Sequence, residues 1–161
     1  MSGGASTVSS RIIKASPEQV YQAFVDRDAL LVWLPPGEMT GQFYAFEART
    51  GGGYMMSLFY PESETGHRGK TSEREDKVKV RFIELAPPSR IVEAITFDSD
   101  DDAFAGEMTL TITIEPVPDG SELTLRFENL PPGLRPEDNE AGAELSLDQL
   151  ARHLEKPASS T

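Results

Sequence analysis

The chain has 161 residues, enough for one domain with a sizeable core, and it contains no cysteine. The absence of cysteine excludes disulfides, thiol catalysis and thiolate metal sites. The net charge of −12, from 27 acidic and 15 basic residues, gives a surface that repels nucleic-acid backbones and anionic lipid headgroups. We therefore expect no nucleic-acid partner. No apolar run approaches the roughly 20 residues of a membrane-spanning helix, so we expect no membrane insertion.

The first elements predicted are a short strand at residues 8–15 and two short helices. Ser16 suits the N-cap of the first helix, and Gln19 completes a capping box with it. Asp26 or Asp28 can cap the second helix, which carries Leu30, Leu31, Trp33 and Leu34. The first ten residues, MSGGASTVSS, lack the basic and apolar segments of a signal peptide, so we expect a cytoplasmic protein with a loose N-terminal tail.

Six more strands are predicted from alternation and turn residues, at 43–48, 54–60, 78–86, 91–97, 107–115 and 122–128. Residues 107–115, EMTLTITIE, alternate most regularly. The strand at 54–60 is unusual, because it follows three glycines and Ser57 is its only polar residue. A strand with one face in water should alternate apolar and polar residues. Either both of its faces are covered, or one face lines something other than solvent.

A long helix from Pro136 to about Lys156 ends the chain. Its apolar residues form one stripe at spacings of 4, 3 and 4, namely Ala143, Leu147, Leu150 and Leu154. The order of elements predicts an α+β fold with a curved antiparallel sheet of about seven strands around this helix. We expect a single domain over residues 1–161, with an ordered core at about 8–156.

Four stretches in this order resemble one known family: SPEQVYQAFVDRDALLVWLPP, FEARTGGGY, FIELAPPSRIVEAITF and NEAGAELSLDQLARHLE. They resemble the SRPBCC superfamily of START-like, helix-grip proteins, in the branch of activator of heat-shock-protein-90 ATPase homologue-like proteins. The resemblance spans roughly residues 10–156 and places Trp33 at the tryptophan position of the opening pattern. One departure is Ala143, where the family pattern usually has tryptophan. The smaller side chain should enlarge or reshape any pocket.

The resemblance implies a cavity between the sheet and the last helix that takes a small hydrophobic molecule, such as a lipid, a sterol or a polyketide-like compound. By that alignment, the residues facing or near the cavity are Trp33, Tyr54, Met56, Leu58, Phe82, Phe97, Met108 and Leu145. Ordinary core packing is the alternative for each of them, since periodicity alone does not give contacts. The resulting hypothesis is a non-enzymatic ligand-binding protein.

Two other functions stay open. A cavity enzyme of the polyketide cyclase or dehydratase type would need polar groups inside, and its candidates are Tyr54, Glu93, Glu107 and Arg49. Strand alternation favours the outer face of the sheet for both glutamates. The family name suggests a stress-response or chaperone-associated interaction module, although the family's co-chaperone depends partly on a domain for which this chain has no room. The sequence leaves monomer and homodimer open.

Metal and phosphate sites are not indicated, and no cofactor is expected. Asp98, Asp100 and Asp102 have the spacing of a calcium loop, but Ala103 and Thr109 replace its glycine and its bidentate glutamate. The GHRGKT stretch lacks the first glycine of a phosphate-binding loop. The two histidines, at positions 67 and 153, do not form a zinc-binding pair, and His153 should be exposed.

Overall fold

The computed structural model describes residues 5–35, 39–60, 75–98 and 102–155. Its strands are β1 Thr7–Ile13, β2 Thr40–Glu47, β3 Gly53–Phe59, β4 Glu75–Ala86, β5 Arg90–Phe97, β6 Glu107–Val117 and β7 Gly120–Glu128. Its helices are α1 Pro17–Val25, α2 Arg27–Trp33 and α3 Pro136–Leu154, with a 3-10 turn at Asp102–Phe104. Residues 61–74, which include the GHRGKT stretch and His67, lie outside the described residues, as does Asp100.

All seven strands form one antiparallel sheet, in the order β1-β7-β6-β5-β4-β3-β2. Strands β2 to β7 are a simple meander, while β1 crosses to pair with β7 at the far edge. A meander gives each strand its sequence neighbour as its partner, which is the commonest connection in antiparallel sheets. The α+β helix-grip fold with a curved seven-stranded sheet is confirmed.

The two short helices begin where the sequence predicts. Ser16 accepts a hydrogen bond from the Gln19 backbone, and the Gln19 side chain accepts one from the Ser16 backbone, which completes the capping box. Asp26 caps α2 by accepting from the backbone of Asp28 and Ala29. The helices are joined by Trp33, whose indole Nε1 donates to the carbonyl oxygen of Ala23 at 2.9 Å.

The glycine triplet is needed for the turn from β2 to β3 and for the approach of β4. Gly51 has a φ of +86°, in the left-handed region that favours glycine. A Cβ at Gly53 would lie 2.0 Å from the carbonyl oxygen of Val80, so only glycine allows β4 to pair this closely. The turn is also tied to β4, since Phe82 donates to the carbonyl of Gly52 at 2.9 Å.

The long helix α3 packs against β1 and α2. Its buried side includes the predicted stripe residues Ala143, Leu147 and Leu150. Ser146 and Gln149 add polar contacts to the carbonyl groups that end α2: the Ser146 hydroxyl donates to Leu34, and the Gln149 amide donates to Trp33 and Pro35, each at 2.8 Å. These side chains supply partners that the last carbonyls of a helix lack. None of the described helices is long and apolar enough to cross a membrane.

Candidate ligand-binding site on the inner face of the sheet

The inner face of the sheet is the face that carries the buried core. On this face Tyr54 of β3 lies opposite Val80 of β4. Two residues further along β4, Phe82 lies opposite Glu93 of β5, which in turn lies opposite Leu110 of β6. Alternation along each strand therefore brings Tyr54, Phe82 and Glu93 to one side of the sheet, on three consecutive strands.

An aromatic cluster surrounds Tyr54. Its ring lies 5.3 Å from that of Phe43, 5.6 Å from that of Phe46 and 5.9 Å from that of Phe82, measured between ring centroids. Phe43 and Phe46 are not among the site residues predicted from the sequence. A register shift in β2 between Phe43 and Ala45 brings both rings to the side of Tyr54. Regular alternation would put residues 43 and 46 on opposite faces, so only the bulge could have identified them.

Glu93 is the ionisable group at the centre of this face. It is 4% exposed, and burial raises the pKa of its carboxyl group from 4.5 to about 8. Burial is the only cause of this shift, so neither a cation nor a hydrogen bond offsets the loss of water. An isolated carboxylate is costly to bury, and the group is therefore held mainly as the neutral acid at neutral pH.

The expectation that Glu93 lies on the outer face is wrong. Glu93 shares the inner face with Ile91 and Ile95, while Val92 and Ala94 occupy the other face. Alternation misled because β5 is largely buried on both faces, Ala94 included. In such a strand the single polar residue does not mark the solvent side.

Burial also raises the pKa of the Tyr54 phenol well above its ordinary value of 10, and the charge of Glu93 raises it further. The two groups lie on the same face of the sheet, on β3 and β5, with Phe82 on the strand between them. The other two candidates for polar chemistry are on the surface. Glu107 forms an ion pair with Arg81 at 3.3 Å, and Arg49 forms one with Glu47 at 3.5 Å. All four of these side chains are more than half exposed.

The structure brings together most of the residues predicted to face or approach a cavity. Four join Tyr54 in the buried core, namely Trp33, Met56, Phe82 and Met108. Leu58 and Phe97 are partly buried and pack against that core. Trp33 has a clear structural role, since it links α1 to α2 through Ala23 and packs edge-on against Phe24 at 4.8 Å.

Leu145 lies away from the buried core, contrary to the prediction. It is 48% exposed, and it is not among the buried residues of α3. Two residues along an α-helix correspond to about 200° of rotation, so Leu145 points away from the side that buries Ala143 and Leu147. The family pattern gave the position in the helix, but helical geometry puts its side chain on the solvent side.

An open recess of about 340 Å³ lies beside this region, lined by Met55, Val78, Lys79, Thr96, Phe97 and Asp98. Met55, Lys79 and Thr96 lie opposite one another across β3, β4 and β5, on the outer face. Phe97 is the only predicted site residue in its lining. Val78 and Phe97, which lie opposite each other on the inner face, complete the lining, but Tyr54 and Glu93 are not part of it.

Within the described ranges, no group of three or more histidine, aspartate or glutamate side chains is placed to hold a metal ion. His153 differs from expectation, because it is half-buried and its Nδ1 atom has no hydrogen-bond partner. It follows Arg152, which pairs with Asp148 on the exposed side of α3. Half-burial follows from its place at the border of the buried stripe.

Comparison with known proteins agrees with this architecture. A protein from Chromobacterium violaceum has a similar solved structure, with a TM-score of 0.82 and 32% sequence identity, covering 96% of this chain and 100% of that one. The AHSA1 protein from Silicibacter pomeroyi is similar in fold, with a TM-score of 0.74 and 22% identity, covering 94% of this chain and 98% of that one. A search of curated proteins found no match.

The family model described as "Activator of Hsp90 ATPase homolog 1-like protein" matches residues 14–155. That match includes the six strands β2 to β7 and all three helices, and β1 precedes it. The chain therefore belongs to the Activator of Hsp90 ATPase homolog 1-like family, within the SRPBCC fold superfamily.

Proposed function

We propose that the protein binds a small, mainly apolar molecule on the inner face of its sheet, beside Tyr54, Phe82 and Glu93. The observation that carries this proposal is the buried Glu93 carboxyl group in an aromatic and aliphatic environment. A core that served stability alone would be more stable with an apolar residue at this position, because burying a polar group without a partner is costly. Apolar sites with one or two polar groups are typical of small-molecule pockets.

The lining suits an adaptable ligand site. Met56 and Met108 are buried on the same face, and methionine side chains are flexible enough to fit differently shaped apolar molecules. Tyr54 adds a large apolar ring with one hydroxyl group that can orient a ligand. The family is consistent with such a role, because proteins of this fold often bind hydrophobic molecules.

Thermal unfolding and native mass spectrometry with fatty acids, sterols and polyketide-like aromatics test the proposal. A ligand at a hundred times its Kd should raise Tm by about 5–10 °C, since it stabilises the folded state by about 2.7 kcal/mol. Leu58→Trp adds bulk on the inner face and should reduce this shift. Ile83→Trp is the matched control on the exposed outer face and should leave the shift unchanged. No shift with any class would contradict the proposal.

A second function, lyase or cyclase chemistry in the same site, is favoured by one specific observation. Glu93 lies inside, and a carboxyl group with a pKa near 8 can both give and take a proton at neutral pH. Glu93→Gln separates the two functions, because it should abolish turnover of a polyketide-like substrate and leave its binding largely intact. If Glu93→Gln keeps both turnover and binding, an enzymatic role for Glu93 is excluded.

A further inference from the structure

The inner-face site holds two hydroxyl groups for which the described residues offer no partner. Neither the Tyr54 phenol nor the Glu93 carboxyl receives or donates a side-chain hydrogen bond there. Two other buried polar side chains of the sheet have partners, since Asp76 accepts from the Tyr60 hydroxyl at 2.8 Å and Ser57 accepts from the Tyr44 hydroxyl at 3.1 Å. Among the described side chains, only His153 Nδ1 is both fully enclosed and unpaired. The Tyr54 and Glu93 oxygens therefore keep some open space beside them, where a bound molecule can supply the partner that buried polar groups usually have.

Both groups are donors in their neutral forms. A phenol carries one O–H group, and a protonated carboxyl group carries another. One other buried carboxyl group lies on the inner face, that of Asp76 on β4, and it accepts a hydrogen bond from the Tyr60 hydroxyl at 2.8 Å. Arg27 lies over the Phe43 ring, 5.6 Å from its centroid, and pairs with Asp28 at 3.5 Å. Neither residue forms an ion pair with Glu93.

We propose that Tyr54 and Glu93 form a two-donor site for a single oxygen acceptor, so that the ligand class is an apolar aromatic or polycyclic molecule with a carbonyl group. The inference rests on the proposed binding function and adds the chemistry of the ligand's polar end. A carbonyl oxygen has two lone pairs and can accept from both O–H groups at once. An enolate or phenolate oxygen would be held more strongly, because hydrogen bonds to charged acceptors are roughly twice as strong.

The surroundings favour a neutral acceptor over a cation. An ammonium ligand would need Glu93 to be ionised, and ionisation in this site is opposed by the apolar lining of Phe82, Ile91, Ile95 and Leu110. A tyrosine next to a carboxylic acid kept neutral by an apolar site is a known way to bind a developing oxyanion. The same pair on this sheet would select carbonyl compounds among apolar molecules.

The test compares three probes of nearly equal shape by fluorescence titration at neutral pH: acetylnaphthalene, isopropylnaphthalene and naphthylethylamine. Tyr54→Phe and Glu93→Leu should each weaken binding of the ketone about tenfold, the loss of one good hydrogen bond. Glu93→Gln keeps an N–H donor and should keep the ketone affinity within about threefold. Affinity for the hydrocarbon should be unchanged in all three variants.

The outcomes separate this inference from the function on which it rests. Equal responses of the ketone and the hydrocarbon to Tyr54→Phe and Glu93→Leu would overturn the two-donor site and leave apolar binding standing. A second outcome is that the amine binds most tightly and that Glu93→Gln loses this affinity. That result would overturn the two-donor site and indicate a cation site. Binding of none of the probes would overturn both. Circular dichroism of each variant confirms that a loss of affinity is not a loss of fold.

Discussion

Tyr54 and Glu93 lie on the same face of the sheet, on β3 and β5 with Phe82 of β4 between them, and the charge of Glu93 raises the pKa of Tyr54. Both groups are buried among apolar side chains. Their relationship makes the interior of this protein sensitive to protonation, which an ordinary apolar core is not. It also gives the family fold, in this chain, a specific polar centre.

Glu93 should make the protein less stable as pH rises. Its pKa is about 8 when folded and 4.5 at its ordinary value, so the folded state binds more protons between these two pH values. The contribution of neutral Glu93 is present in full below about pH 4.5 and is lost progressively up to about pH 8. The loss is up to about 5 kcal/mol. Glu93→Gln should not show this pH-dependent loss of stability. Urea unfolding of the wild type and of Glu93→Gln at several pH values measures the difference.

Parallel stability profiles for the wild type and Glu93→Gln would contradict this prediction. Glu137 provides a control of opposite sign. Its pKa is lowered by a backbone hydrogen bond first and by Arg135 second, so its contribution is lost as pH falls. Glu137→Gln should therefore change the profile only at acidic pH.

Replacing Trp33 by phenylalanine should destabilise the protein by about 2–3 kcal/mol. The change removes the indole donor and leaves the Ala23 carbonyl without its 2.9 Å partner in a buried position. It also removes part of a side chain that is almost fully buried. Chemical denaturation measures the loss. Val32→Ala, at an exposed position of the same helix, should cost less than about 0.5 kcal/mol, and equal costs would argue against the Trp33–Ala23 link.

Two glycine-to-alanine changes should have opposite effects. Gly53→Ala puts a Cβ 2.0 Å from the Val80 carbonyl oxygen, so β3 and β4 must separate and the cost should exceed about 3 kcal/mol. Gly142→Ala lies in α3 with no atom within 4 Å of the new Cβ, and it should stabilise the protein by about 0.5–1 kcal/mol. Thermal unfolding of both variants gives the two signs. A tolerated Gly53→Ala would mean that the strands do not approach this closely.

The contact between α2 and α3 depends on Gln149. Its amide donates to the carbonyls of Trp33 and Pro35, each at 2.8 Å, so Gln149→Ala should cost about 1–3 kcal/mol. Glu144→Ala makes the same truncation on the exposed side of α3 and should be nearly neutral. Hydrogen exchange at the end of α2 should also speed up in Gln149→Ala alone. Equal behaviour of the two variants would show that the amide does not hold α2.

The sequence predicts the order and bounds of the elements well, because capping residues and periodicity are local signals. The capping box of Ser16 and the alternation of β6 are examples. It does not predict the face of Glu93, which depends on β5 being covered on both sides. Nor does it predict the convergence of Phe43 and Phe46 on Tyr54, which needs the bulge in β2. The family pattern predicts that Leu145 lies near a pocket, whereas helical geometry puts its side chain on the solvent side of α3.

The pKa of Glu93, measured by carbon-detected NMR in the free protein and with acetylnaphthalene, tests the central claim most directly. We predict a value near 8 in the free protein, and a higher value with the ketone, since a ligand that accepts from the neutral acid stabilises the protonated form. A value near 4.5, unchanged by the ketone, would show that Glu93 is solvated and would contradict the inner-face site.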